Sequence, residues 1–349
     1  MKKRRAFLGS ALGALSLSPT RAGRAAEPRA AAPRARPLVW PLAAQPQAAV
    51  RSFAGHANTV LDIVGRIGTP PNLAIFTEGN HLMALLGEQI LGEFPQWAKA
   101  HPHYADVELG NVVVLTLPQP IVVQTLRSGA IALGNLTLEV SRKSGFYPDI
   151  VMAGPAPLRE LRKLRVLEPQ ARYFSRNRGP ALLVRKGNPL GIRGLADVAR
   201  KRARFAQADA SVEMGARAAN RAAVEDLIGK PAAAALFAQE VERFPGRLGI
   251  MHRDLPEMLA RDYADVALTQ YHLVSYWART FPDLFELVPV AGAERFTVKI
   301  AFGRVVDPLR ARARAAFEEF FFGRAREVYP RYDFARMDDD EYAAPLALE

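Results

Sequence analysis

The sequence of 349 residues has no cysteine and only six histidines. The absence of cysteine excludes disulfides, thiolate metal sites and a cysteine nucleophile. His81, His252 and His272 show no paired spacing of the His-x-x-x-His kind, so we expect no metal site. There is also no Gly-x-Gly-x-x-Gly after a strand, no P-loop and no Gly-x-Ser-x-Gly elbow. We therefore expect no nucleotide or other cofactor.

Acidic residues are in deficit, with 47 Lys and Arg against 35 Asp and Glu, for a formal net charge of +12. The imbalance is concentrated at the start of the chain, since residues 1–26 hold six basic residues and no acid. Nucleic-acid-binding proteins concentrate charge on one face and add aromatic side chains that stack on bases. No such stripe is present, so we expect no nucleic-acid partner. A hydrophobic content of 49% in a chain of this length favours two domains with real cores.

The N-terminus has the layout of an export signal. A basic segment is followed by a short apolar run and then by small residues, which indicates a signal peptide over residues 1–26. The pair Arg4-Arg5 before Ala6-Phe7-Leu8 resembles the twin-arginine export motif, although an ordinary signal peptide with a basic start stays open. Residues 27–71 form a Pro/Ala-rich linker with a short amphipathic helix predicted over 56–67. We expect the mature protein in the periplasm.

The rest of the chain alternates short apolar runs with helical periodicity. Strands are predicted at 73–76, 112–117 and 149–153, and a second series at 181–184, 248–250 and 265–268. Residues 131–140 alternate as in a hairpin. Strand–turn–helix units of this kind predict parallel sheets covered by helices on both faces, that is, an α/β fold. Ligands of such folds bind at the carboxyl ends of the strands.

The order of these elements from Leu73 to about Phe334 resembles the molybdate-binding-like (type II) family of periplasmic substrate-binding proteins. Two segments carry most of the resemblance. The first is an apolar strand followed by Lys186-Gly187-Asn188-Pro189 and a short helix with Leu195-Ala196-Asp197-Val198. The second is a closing aromatic segment, Tyr332-Asp333-Phe334.

The resemblance implies a two-lobed type II periplasmic-binding-protein fold with a central, mainly parallel sheet in each lobe. Lobe 1 would take residues 72–177 and 273–349, and lobe 2 residues 178–272. A small solute would bind between the lobes of a monomer and pass to the membrane permease of an ABC-type importer. The resemblance also implies a binding protein and not an enzyme.

The family's ligand contacts fall on loops of this sequence. The candidate ligand-binding residues are Thr77, Glu78, Gly79, Asn80, Gln119, Ser211, Val212, Glu213, Met214, His252, Arg253, Thr269, Gln270 and Tyr271. Thr77, Asn80 and Ser211 suit helix capping as well as ligand binding. Arg253 suits bidentate recognition of an oxyanion, or equally a surface salt bridge.

The expected ligand is a small polar anion such as molybdate or tungstate. The loop at Gln119 departs from the family because it lacks the hydroxyl of the Ser-Gly pair that molybdate binders usually show. Glu78 and Glu213 would repel an anion if they faced the cleft, so we expect both on its rim. Two alternatives stay open: an exported sensory or accessory binding protein without a transporter, and an enzyme on the same scaffold.

The first prediction concerns the export route. A reporter fused to residues 1–40 should reach the periplasm, and replacing Arg4 and Arg5 by lysine should abolish this if the twin-arginine machinery carries it. Reporter activity in periplasmic fractions of strains with and without that machinery is the measurement. Export that persists without the machinery would contradict the twin-arginine route but not export itself.

Overall fold

We describe the protein from a computed structural model, which covers residues 63–66, 69–81, 92–133, 136–211, 213–241 and 251–349. These residues belong to one compact unit, residues 35–349. The predicted signal peptide at 1–26 and the predicted strand at 248–250 lie outside the described residues.

Thirteen strands are found among the described residues. In chain order they are β1 (Ile63–Val64), β2 (Leu73–Thr77), β3 (Val112–Thr116), β4 (Ala130–Leu133), β5 (Leu136–Glu139), β6 (Ile150–Ala153), β7 (Leu167–Arg176), β8 (Pro180–Arg185), β9 (Phe205–Ala206), β10 (Val266–Gln270), β11 (Phe285–Pro289), β12 (Lys299–Val305) and β13 (Pro345–Ala347). The strands predicted in the first series, the hairpin and two of the three strands in the second series are confirmed.

The α-helices of the same residues are α1 (Glu93–Ala100), α2 (Gln119–Ser128), α3 (Pro155–Lys163), α4 (Leu195–Arg200), α5 (Met214–Ile228), α6 (Lys230–Phe237), α7 (Met251–Ala260), α8 (Tyr271–Thr280) and α9 (Ala311–Val328). Short 3-10 helices occupy Gly79–His81, Ala293–Arg295 and Tyr329–Tyr332.

The strands form two main sheets. Sheet 1 has the order β1-β3-β2-β6-β12-β7-β13 and sheet 2 the order β11-β8-β10-β9, while β4 and β5 form a separate hairpin. The expectation of mainly parallel sheets is corrected. Parallel pairing is limited to β3-β2-β6 in sheet 1 and β10-β9 in sheet 2, and the other neighbours are antiparallel. The reason is that β12 runs back along β6 after the chain returns from sheet 2.

The return from sheet 2 comes later than the sequence indicated. β11 pairs antiparallel with β8, and Leu273, Val274 and Trp277 of α8 pack in the core of sheet 2. The segment 273–289 therefore belongs with sheet 2, which corrects the boundary placed at residue 272. The apolar run of β11 carries no signal for which sheet it joins, because both sheets offer an edge.

The crossing segments between the sheets are tied to each other. The Asn177 side-chain Oδ1 accepts hydrogen bonds from the backbone N–H groups of Gly179, at 3.2 Å, and Val298, at 2.8 Å. Gly179 has φ of +78°, and a Cβ there would lie 1.9 Å from the carbonyl oxygen of Ala293. Only glycine satisfies both the conformation and this close approach. The outgoing and returning chains thus run side by side between the two sheets.

The prediction of a helix over 56–67 is wrong for residues 63–66, the part of that range that the structure describes. Ile63 and Val64 form β1, which pairs antiparallel with β3. Asn111 holds this edge, since its side chain accepts from the Arg66 N–H at 2.8 Å and donates to the Arg66 carbonyl at 3.1 Å. The pairing with β3 and the hydrogen bonds of Asn111 outweigh the local helical periodicity, because long-range contacts override a local preference.

Alternating side chains give sheet 1 two apolar faces. Phe76, Leu115 and Val151 pack under α2 and α3, whereas Ile75 and Val114 face the aromatic layer of α1 and α9. Sheet 2 is likewise covered on both faces, by α7 and α8 on one side and by α4, α5 and α6 on the other. Each sheet with its helices is one lobe, so the expected two-lobed α/β architecture is present.

A buried carboxylate joins three parts of lobe 1. Asp149 is 0% exposed and accepts hydrogen bonds from the Ala74 N–H at 2.9 Å and from the Arg310 N–H at 3.1 Å and Nε at 2.7 Å. Arg310 also donates to the carbonyl oxygens of Gly145 and Tyr147. The ion pair therefore fixes the start of β2, the start of β6 and the entry to α9 in one place.

Asp149→Ala should lower the free energy of unfolding by about 3–5 kcal/mol, because it leaves the buried Arg310 guanidinium without its partner. Asp106→Ala is the control, since Asp106 pairs with Arg312 at the exposed surface and little change is expected. Urea unfolding of the full chain measures both. A similar effect of the two substitutions would show that Asp149 does not organise lobe 1.

Candidate functional site

A cleft of about 480 Å³ lies between the lobes and is lined from both sheets. Lobe 1 contributes the ends of β2, β3 and β6, where Glu78, Pro118 and Gly154 directly follow the strands. The strand ends are held level, since Glu78 N–H donates to Met152 O at 3.1 Å and Leu117 N–H donates to Thr77 O at 2.9 Å. The cleft thus lies where the α/β topology predicts a ligand site.

Four helices begin at this cleft. The first residues of α2, α3 and α5 line it, and α8 contributes its second residue, His272. Helix N-termini offer unpaired backbone N–H groups and the positive end of the helix dipole. Two of the four are short of donors, because α2 carries Pro120 and α3 carries Pro155 and Pro157 in the first turn. The donor-rich helix starts are therefore those of α5 and α8, both from lobe 2.

Glu78 is a buried acidic residue in the lobe 1 wall of the cleft. Its side chain is buried, and its Oε1 lies 2.9 Å from His81 Nε2 while its Oε2 accepts from the Gln119 side-chain amide. Gly154 leaves room for this arrangement, since a Cβ there would lie 3.1 Å from Gln119 Oε1. The carboxylate is held in a fixed position by two side chains of its own lobe.

A second carboxylate, Glu213, lines the cleft from lobe 2. It occupies the position before α5, is 9% exposed, and its Oε2 lies 3.4 Å from the Asp209 N–H. Glu160 lies at the outer end and pairs with Arg127. No lysine or arginine lines the cleft within the part of the chain that the structure describes. The charged side chains seen there are all acidic.

Two of three stacked rings, His272 and Phe334, line the cleft, and the third ring, His81, lies behind them. Phe334 lies between the imidazoles of His272, with ring centroids 4.0 Å apart, and His81, with centroids 5.4 Å apart. His272 is 1% exposed, and neither of its ring nitrogens has a hydrogen-bond partner. Burial, with a smaller effect of His81, lowers its pKa well below the usual value, so the ring is neutral at pH 7. A buried imidazole without partners leaves a donor and an acceptor to be satisfied.

Six of the candidate residues line the cleft. They are Glu78, Gly79, Gln119, Glu213, Met214 and Gln270. The expectation that Glu78 and Glu213 lie on the rim is wrong, since both are buried in the cleft wall. The expectation assumed that both residues lie in the exposed first turn of a helix. Glu78 instead directly follows a central strand, and Glu213 contacts the Asp209 N–H in the loop before α5.

Four further candidates lie outside the cleft lining: Thr77, Thr269, Ser211 and Tyr271. Thr77 and Thr269 are fully buried in their strands, and Thr269 Oγ1 binds the Gln270 side chain at 2.7 Å. Ser211 is exposed and bonds to Asp209, and the residue that precedes α5 is Glu213, so Ser211 does not cap that helix. Thr269 instead positions the Gln270 amide, which lines the cleft.

Tyr271 points away from the cleft. Its N–H donates to the Gly179 carbonyl at 2.9 Å, and the Arg178 guanidinium lies 4.1 Å from its ring centroid. It therefore packs on the crossing segment, and the next residue along α8, His272, faces the cleft in its place. Successive helical residues differ in direction by about 100°, so the sequence identified the right helix start but the wrong residue of it.

The other candidates are described only in part. Asn80 lies in the 3-10 helix after β2, and His252 and Arg253 lie in the first turn of α7, but their side chains are outside the described residues. Val212 is wholly outside them. Their contact with a ligand stays a prediction.

Residues absent from the sequence-based set form much of the cleft. They include Gly154, Pro155, Ala156 and Pro157 after β6, Asn177 and Val298 of the crossing segments, Ile300, His272 and Phe334. The Gly-Pro pair after the strand at 149–153 was a usable signal, because it marks a strand end at the same edge as Glu78. Phe334 could not be placed from sequence, since it is more than 250 residues from Glu78 along the chain.

Among the described helices, none is both long enough and apolar enough to cross a membrane. A group of three or more side chains that could hold a metal ion is not found in the same residues.

Comparisons with known proteins agree with this architecture. The family model of bacterial extracellular solute-binding proteins matches residues 118–329. No curated protein matches the chain. A glycosylated variant of PEB3 is 17% identical, with a TM-score of 0.51, and the match covers 76% of this chain and 100% of that one. The sulfate-binding protein SubI from Mycobacterium tuberculosis is 14% identical, with a TM-score of 0.52, and covers 76% and 87%. These likenesses confirm the two-lobed fold.

The neutral, buried His272 makes stability depend on pH. In the unfolded chain a histidine takes up a proton below a pH of about 6.5, and the folded protein resists that protonation. The stability is therefore present above this pH and is lost as the pH falls through it, by at most about 1.4 kcal/mol per pH unit for one proton. His272→Gln should reduce this slope, as measured by urea unfolding between pH 8 and 5. Equal slopes for the two proteins would contradict the assignment.

Proposed function

Because the chain belongs to the bacterial extracellular solute-binding proteins, we propose that it is exported to the periplasm, captures a small solute in the cleft between its lobes and delivers it to the permease of an ABC-type importer. One observation carries the binding role: the cleft is lined by strand ends and helix starts of both lobes, which are joined by two adjacent crossing segments. Closure of the lobes about such crossings buries a ligand between them.

The solute carries an anionic group in this proposal, as the sequence indicated. The starts of α5 and α8 supply backbone N–H groups and positive dipole ends to the lobe 2 wall. Arg253 would add a charged donor if its side chain reached the cleft. SubI is a sulfate-binding protein by name, but at 14% identity it supports the fold and not the ligand.

The rival functions differ from this one in their partners and chemistry. An exported sensory or accessory protein would have the same cleft without a permease partner. An enzyme would need a nucleophile with an adjacent base. The polar side chains seen in the cleft are carboxylates, amides and one neutral imidazole, with no serine, threonine or lysine among the described lining residues. Binding is therefore the function that the cleft supports best.

The test asks whether the cleft holds a solute in the exported protein. Protein isolated from the periplasm of its host should release a small molecule on denaturation, detected by mass spectrometry at a ratio near one per chain. Met214→Trp should abolish this occupancy, because Met214 is 58% exposed and lines the cleft, so a larger ring there fills the binding space.

Leu309→Trp is the matched control, since Leu309 is also an exposed apolar residue and lies just before α9, outside the cleft lining. Its solute content should equal that of the unaltered protein. A protein that carries no solute, or one that carries it equally in both variants, would contradict solute binding in this cleft. Loss of solute uptake by cells that lack the ATPase of the importer would separate transport from sensing.

A further inference from the structure

The size and lining of the cleft favour an organic ligand over an inorganic oxyanion. Its volume of about 480 Å³ lies in the range of pockets that hold organic molecules. The apolar side chains that line the cleft come from both lobes and include Val123, Met214, Val298, Ile300 and Phe334. A tetrahedral oxyanion uses hydrogen-bond donors on all sides and gains nothing from such apolar side chains. An apolar side chain of a ligand would bury its surface there.

The two buried carboxylates lie in the walls of the same cleft. Glu78 is 6% exposed and Glu213 9% exposed. Glu78 is oriented by His81 and Gln119, so its carboxylate is held in place before any ligand arrives. A carboxylate oxygen has more than one acceptor site, which leaves capacity for a donor from a ligand. An ammonium group forms charge-assisted hydrogen bonds with a carboxylate, and these are about twice as strong as hydrogen bonds between neutral groups.

A third feature points to a ligand independently of these charges. His272 is buried to 1%, lines the cleft and has no hydrogen-bond partner on either ring nitrogen. It lies in the first turn of α8, where backbone N–H groups are also unpaired within the helix. A ligand carboxylate at this helix start would accept from both the backbone and the imidazole. Binding would thus satisfy a polar group that the protein alone leaves unsatisfied.

From these observations we infer that the solute is an apolar amino acid, bound as a zwitterion. Its ammonium group lies at Glu78, its carboxylate at the start of α8 with His272, and its side chain against the apolar side chains that line the cleft. The inference rests on the proposed function and makes it more specific: the anionic group of the solute is a carboxylate, and it comes with a positive charge on the same molecule.

The first experiment separates the charges of the ligand. L-leucine, L-methionine and L-phenylalanine are titrated into the full mature protein by calorimetry. So are 4-methylpentanoate, which is leucine without its ammonium, and 3-methylbutylamine, which is leucine without its carboxylate. Molybdate and sulfate complete the set. At least one amino acid should bind, and for leucine each single-charge analogue should bind about tenfold to a hundredfold more weakly than the zwitterion.

The second experiment removes the partner of the ammonium. Glu78→Gln should weaken binding of the amino acid about tenfold to a hundredfold and weaken 4-methylpentanoate much less. Glu108→Gln is the control, because it removes the same charge from an exposed position outside the cleft. Gly154→Ala gives a second variant if Glu78→Gln folds poorly. Its φ of −65° suits alanine, and the new Cβ would displace the Gln119 amide that orients Glu78.

The outcomes divide clearly. Binding of molybdate or sulfate without any amino acid, or equal binding of leucine and 4-methylpentanoate, would overturn the zwitterion while leaving a solute-binding cleft for anions. Binding of amino acids that is unaffected by both cleft variants would overturn the role of Glu78. A periplasmic solute that Met214→Trp removes, in a protein that binds none of the three amino acids, would leave the proposed function standing and refute this inference. Absence of any solute would refute both.

Discussion

The ion pair of Asp149 with Arg310 is the interaction on which the binding wall of lobe 1 depends. It joins the start of β2, the start of β6 and the entry to α9, with Asp149 fully buried and the Arg310 side chain only 13% exposed. The opposite ends of the same strands carry Glu78 and Gly154. Because β2, β3 and β6 are parallel, fixing their starts also fixes the level at which their carboxyl ends meet the cleft.

The cleft combines the positive dipole ends of helices with acidic side chains, which a site for a simple anion would exclude. Helix starts supply positive dipole ends, yet prolines remove N–H donors from α2 and α3 on the lobe 1 side. The same side holds Glu78 against Gln119. Lobe 1 thus contributes the Glu78 carboxylate and few backbone donors, whereas lobe 2 contributes the starts of α5 and α8 together with the Glu213 carboxylate. A cleft that combines acidic side chains with positive helix ends favours a ligand with a charge of each sign.

The sequence predicted most of the central strands, the two lobes and six of the residues that line the cleft, because these follow from local patterns. Short apolar runs marked β2, β3 and β10, and the polar residues just after them include Glu78, Gln119 and Gln270. The choice of sheet for β11 and the direction of β12 could not be predicted, since both depend on long-range pairing with β8 and β6. The strand at Ile63–Val64 was missed for the same reason: its partner lies some fifty residues away, whereas the helical pattern was local.

His272 shows where such patterns stop being informative. Its position after a buried strand was visible, but its neighbour Tyr271 was chosen because tyrosine has a polar end that suits ligands. The packing of Tyr271 under Arg178 determines that His272 and not Tyr271 faces the cleft. This contact depends on how the crossing segment returns between the lobes. The same packing turns the imidazole toward Phe334 and leaves it without a partner. A buried polar ring without a partner lowers the stability of the unliganded protein. In the proposed complex a ligand group takes the missing place, so the stability that the empty cleft lacks contributes to affinity for the solute.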